Sequence, residues 1–109
     1  YLALEKVNLE RAKELILKVI DKFPENSTYM DTYGWVMFQI GEYEKAEQIL
    51  FNAVIKDGER SGEILEHYGD VLFKLKNKKK AITFWEKAKA TGEHSNELIQ
   101  KINENKFIE

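Results

Sequence analysis

Apolar residues along this chain recur at intervals of three and four, not two. Met30, Tyr33, Met37 and Ile40 are spaced 3, 4, 3, which puts them on one face of a helix. Ala46, Ile49, Leu50 and Ala53 make a second such face, and Leu98, Ile99 and Ile102 a third. Sustained period-two alternation is absent, and no Asn-Gly or Asp-Gly joins two strand-like runs. The single Asp57–Gly58 pair closes a helix. Asn26 or Ser27 offers an N-cap for one helix and Ser61 for another. Gly41 and the polar pair Asn77–Lys78 mark tight turns between neighbours. The pattern predicts an all-α chain.

The pattern also repeats. A shift of 35 residues pairs Tyr33 with Tyr68, Gly34 with Gly69, Val36 with Val71, Phe38 with Phe73, Lys45 with Lys80, Ala46 with Ala81 and Ala53 with Ala88, seven identities in all. A shift of 34 brings Leu9–Pro24 under Tyr43–Gly58, with Glu10 on Glu44, Ala12 on Ala46 and Lys22 on Lys56. The one-residue difference falls in the loop 57–62, where an insertion costs little. Gly34 is the informative member. An interior helical Gly costs roughly 0.5–1 kcal/mol relative to Ala, so its recurrence beside a Tyr predicts close approach of the paired helix. Trp35 lies one step, about 100°, around the helix from it and turns to another face. Trp85, aligned with Leu50, is expected in the core.

This period and wording resemble the tetratricopeptide repeat. Tyr33-Gly34, Met37, Gly41-x-Tyr43, Ala46, Leu50 and Ala53 carry the family pattern in one copy. Tyr68-Gly69, Leu72, Ala81, Trp85 and Ala88 carry it in the next, departing at the turn, where Lys76 and Lys78 replace Gly and Tyr. An earlier half-copy keeps only Leu9, Ala12, Ile16, Val19 and Pro24. The resemblance is to the C-terminal part of a longer, bacterial-looking array. It implies an α-solenoid, a superhelix of antiparallel helix pairs: a partial repeat over 1–26, repeats over 27–61 and 62–93, and a capping helix over 94–109. The opening residues "YLAL" then read as the stub of a lost first helix, and the chain, starting at Tyr1 rather than Met, as an excised piece. A polar outer face on the last helix suits a terminal cap.

By the same resemblance, the first helix of each repeat lines a concave groove. The implied positions are Thr28, Asp31, Trp35, Phe38 and Gln39, then Glu63, Glu66, Asp70, Phe73 and Lys74. Carboxylates outnumber lysines there, with Trp35, Phe38 and Phe73 as apolar anchors, so the expected occupant is a basic or aromatic-bearing peptide or helix. Family members that grip C-terminal carboxylates place Lys, Arg and Asn on these helices. Asp31, Glu66 and Asp70 would instead repel a carboxylate.

Bulk properties narrow the classes further. The 109 residues, 43% apolar and 33% charged with a net charge of −2, fit one folded domain and argue against a general nucleic-acid binder. The absence of cysteine excludes disulfides, thiolate metal sites and a Cys nucleophile. No membrane span or leader is visible, and the compartment stays open. Glu63, His67 and Asp70 share one helical stripe at metal-capable spacing, but such spacing is common by accident, so an ordinary groove-edge histidine is expected and no metal or other cofactor. Neither His67 nor His94 has a Ser or Cys nucleophile motif beside it, so no catalytic residue is assigned. Five lysines between Lys74 and Lys80 read as a solvated turn, and Asn26-Ser27-Thr28 as a cap before a glycosylation site. The expectation is a non-catalytic protein-interaction module. The alternative is a structural segment that packs on an array or self-associates through its N-terminal half-repeat.

Overall fold

Side-chain caps fix where the helices begin. The computed structural model describes residues 2–56 and 61–104, with side chains from residue 8 onward. Six α-helices and no strand occur among them: α1 (Leu2–Lys22), α2 (Ser27–Ile40), α3 (Tyr43–Lys56), α4 (Gly62–Lys74), α5 (Lys78–Thr91) and α6 (Leu98–Glu104). Asn26 caps α2 by accepting the Tyr29 N–H at 3.1 Å. Ser61 caps α4 by accepting the Ile64 N–H at 3.3 Å, and Asn77 accepts the Lys80 N–H of α5 at 3.4 Å. Each such cap satisfies a donor that the helix cannot, worth about 1 kcal/mol.

Turn geometry repeats as well. Gly41 ends α2 in the left-handed region at φ +102°, and the Glu42 N–H returns to the Met37 carbonyl at 2.9 Å. In the next pair Lys76 takes the same role at φ +67°, and the Asn77 N–H returns to Leu72 at 2.9 Å. Lysine replaces glycine in sequence while the hydrogen bond is kept, at a conformational cost. The other lysines of this turn, Lys78–Lys80, are exposed.

Each helix packs on the next along the chain, and α2 also touches α4. The connections of two and three residues leave the packed pairs α2–α3 and α4–α5 no choice but to run antiparallel. Ala46, Leu50 and Ala53 of α3 and Ala81, Trp85 and Ala88 of α5 are all fully buried, so each second helix inserts a large residue flanked by two small ones. The facing surface is a glycine in both pairs. A Cβ on Gly34 would lie 2.6 Å from Leu50 Cγ; one on Gly69 would lie 2.5 Å from Trp85 Cδ1 and 3.1 Å from the Ala81 carbonyl oxygen. The close approach expected at Gly34 and Gly69 is present, and the packing offsets the helix-propensity cost.

Three expectations change. The opening residues from Leu2 continue into α1 as one helix and form no separate stub. The last helix begins only at Leu98, and its inward face is Leu98 and Lys101, with Ile102 partly buried against the core, whereas Ile99, expected on that face, is exposed. Leu98 and Lys101 are three apart and share a face, whereas Ile99 lies about 100° around from Leu98 and about 160° from Lys101. The insertion at 57–62 and the chain beyond Glu104 fall largely outside the described residues. No helix among the described residues is long and apolar enough to cross a membrane.

Two substitutions test this packing. Gly69→Ala should destabilise more than Gly34→Ala, by about 1–3 kcal/mol, because a rigid indole and a backbone carbonyl yield less than a leucine side chain, which can change rotamer. Urea titration of both variants measures it, and a stabilised Gly69→Ala would refute the close approach. Lys76→Gly should gain about 1 kcal/mol in the same assay by relieving the positive φ.

Candidate functional site

Chain order brings α2, α4 and α6 to a common groove of about 860 Å³. Trp35, Phe38 and Gln39 of α2 and Tyr43 of α3 form one part of its lining, with Glu63, Glu66, His67, Asp70 and Lys74 from α4. Glu93, His94, Ser95, Glu97 and Lys101 complete it from the end of α5 onward. Gly62 allows this last segment to cross the start of α4, since a Cβ there would strike the Glu93 carbonyl.

The residues expected from the sequence divide. Trp35, Phe38, Glu63, Glu66 and Asp70 line the groove, as do Gln39 and Lys74. Thr28 does not: it is exposed at the start of α2, and its carbonyl accepts the Thr32 hydroxyl at 3.1 Å. Phe73 packs on the core, its ring 5.7 Å from the Trp85 ring and 5.9 Å from the Lys78 ammonium. Asp31 is buried behind the lining, where its Oδ1 lies 2.8 Å from Nδ1 of His67.

That Asp31–His67 contact joins α2 to α4. The His67 ring also stacks on Trp35 at 4.0 Å, Trp35 on Phe38 at 4.7 Å, and Phe38 tilts against Tyr43 at 5.3 Å. Four rings from three helices thus form one aromatic run beside the groove. Burial opposes a charge on His67. The hydrogen bond to Asp31 and the negative field of Asp31, Asp70 and Glu63 outweigh it, so the imidazole is held above its usual pKa. The metal-capable grouping differs from the stripe read in sequence. Asp31, Glu63 and His67 place one ligand atom each within 4.8 Å of one another, whereas Asp70 turns to other partners.

Those partners form the groove floor. Lys101 Nζ donates to Glu66 Oε2 at 2.7 Å and to both Asp70 oxygens at 2.9 and 3.1 Å. Trp85 Nε1 donates to Asp70 Oδ1 at 3.0 Å, and Ser95 gives Glu66 its backbone N–H at 2.8 Å and its hydroxyl. The expectation of an open acidic strip therefore needs correction at Glu66 and Asp70, whose carboxylates are buried and occupied. One ammonium cannot neutralise both. Burial alone would raise Glu66, yet hydrogen bonds from Lys101 and Ser95 leave its pKa below the usual carboxylate value. For Asp70 burial prevails over the Lys101 attraction and pushes its pKa up to about 6.

Sequence reasoning missed Lys101, Ser95, Glu93, Glu97 and Tyr43 as groove residues. Lys101 left one trace, its three-residue spacing from Leu98; the others sit on connections or at a helix start, where periodicity carries no signal. Neither protein-family models nor curated proteins give a match to this chain.

Removing Lys101 leaves two buried carboxylates facing each other, so Lys101→Met should cost about 3–5 kcal/mol by chemical denaturation. Adding Glu66→Gln and Asp70→Asn should recover most of that loss; a Lys101→Met change under 1 kcal/mol would sink the assignment. The Asp31–His67 pair makes a pH prediction. A raised histidine pKa contributes stability that is complete below the unfolded value of about 6.5 and fades as pH climbs through the folded one. The stability gap between the parent and His67→Gln should then be wider at pH 5.5 than at pH 8.5, and a gap independent of pH would contradict it.

Proposed function

We propose that this chain is a non-catalytic binding module, a solenoid of the tetratricopeptide-repeat kind that holds a segment of a protein or peptide in its groove. The observation that carries the reading is the 860 Å³ groove itself, with an aromatic wall on α2 and lining contributed by α4 and α6. Rigid aromatic surface beside polar groups is the usual source of affinity in peptide grooves. The recurring Gly34–Leu50 and Gly69–Trp85 contacts support the repeat assignment, because two helix pairs solve the same packing problem in the same register.

The side chains also favour holding over reacting. The Ser95 hydroxyl donates to Glu66 and not to a histidine, and His94 Nδ1 meets the Ser95 carbonyl at 2.8 Å. Glu66, the carboxylate that meets the Ser95 hydroxyl, is a poor general base, because Lys101 holds it and its pKa lies below the ordinary value. The net charge of −2 is a poor match to nucleic acid.

A second reading has its own observation. Leu15 of α1 is 62% exposed, although its repeat counterpart Ile49 packs at the Gly34 contact. That side of α1 suits another helix of an array or a second copy, and the chain would then be a structural segment. Light scattering over a concentration series separates the two: a dimer abolished by Leu15→Glu supports assembly.

Selection from a random dodecapeptide library tests the first reading. Recovered peptides should bind the parent and lose at least tenfold with Gln39→Trp, which fills the groove from an exposed position. Trp35→Ala should weaken them too, with some loss of stability because Trp35 stacks on His67. Peptides indifferent to both variants would overturn the groove.

A further inference from the structure

Building on the groove reading, we infer that the occupant is a cationic segment, one that brings a lysine or arginine side chain to the carboxylates of Glu63, Glu93 and Glu97 beside the Trp35 wall. Charge complementarity carries this. The lining holds five carboxylates and two lysines. Lys101 is spent on Glu66 and Asp70, with three contacts of 2.7 to 3.1 Å, and is buried beyond the reach of a ligand. The carboxyl-bearing residues that remain at the surface are Glu63, Glu93 and Glu97, opposed by Lys74 and by a partly exposed His67 whose charge is already matched by Asp31. An anionic segment would meet those three glutamates, with Lys74 the other ammonium of the described lining besides the buried Lys101.

The molecule also displays the chemistry on itself. Lys101 shows that carboxylates on this face of α4 hold an ammonium, and Glu63 lies three residues, about one turn, before Glu66 on the same helix. Aromatic rings near the groove add a second attraction. A cation over a ring face is favourable, and the chain already uses this pairing at Lys87 over Phe84, 4.8 Å from the ring centre. An arginine suits both features, since its planar guanidinium pairs a carboxylate edge-on while lying flat against a ring.

The dodecapeptides recovered by selection are the probes. Lys and Arg should outnumber Asp and Glu in them, and replacing each Arg by citrulline or each Lys by norleucine should cost at least tenfold in Kd. Glu63→Lys with Glu97→Lys should cost as much, and the affinity of the parent should fall several-fold between 50 and 200 mM salt. Both glutamates are exposed, so circular dichroism should show the double variant folded; if it does not, Glu93→Lys alone must weaken the same peptides. Peptides that are neutral or acidic, yet blocked by Gln39→Trp, would overturn the cationic assignment and leave the groove standing. Peptides insensitive to Gln39→Trp would overturn both.

Discussion

The indole of Trp85 and the missing side chain of Gly69 form the contact on which the rest of this molecule depends. Trp85 is the largest fully buried residue, and its ring lies where a Cβ of residue 69 would project. The ring fixes how closely α5 approaches α4. Its Nε1 then needs an acceptor, because a buried N–H without one is costly. Asp70, the residue after Gly69, supplies it. The neighbouring glycine gives space for the ring, and the aspartate satisfies its polar edge.

Placing a carboxylate there creates the next requirement. Asp70 is buried, with Glu66 one turn earlier on the same helix, and two such charges require a cation. Lys101 answers both and thereby seats α6 against α4. The groove floor is thus a consequence of core packing: Trp85 calls for Asp70, and Asp70 with Glu66 calls for Lys101. The two carboxyls divide the ammonium unequally, Glu66 being held below its ordinary pKa and Asp70 above it. Asp70 contributes stability that is complete below its unfolded pKa and is lost as pH rises through about 6. Glu66 behaves oppositely, its contribution being present at neutral pH and lost as pH falls through its lowered folded value.

The aromatic run joins fold and groove in a second way. His67 touches Asp31 across two helices and stacks on Trp35, so the α2–α4 contact is polar at one edge of the ring and apolar on its face. An imidazolium suits that position: the carboxylate attracts its charge and the indole face tolerates it. Groove residues therefore carry different loads. Asp31, Glu66 and Asp70 serve the structure, whereas Gln39, Glu63 and Glu97 stand at the surface, where a partner can meet them.

By itself the sequence determined the all-α character, the caps at Asn26 and Ser61, the turn at Gly41, the small–large–small cores of α3 and α5, and the close approach at Gly34 and Gly69. These features are local or periodic: an N-cap is three residues long, a helix face recurs every three or four, and a repeat displays its packing twice. Tertiary structure alone decided which groove side chains are free. Glu66, Asp70 and Lys101 look in sequence like ordinary charges on amphipathic helices, and 31 residues separate Asp70 from Lys101. Their pairing depends on how α6 turns back across α4, a path set by the non-periodic segment 92–97. Phe73 shows the same limit from the apolar side. The resemblance to the repeat family implied a groove position for it, but the Trp85 ring offered a nearer partner, and burial against that ring outweighed exposure in the groove.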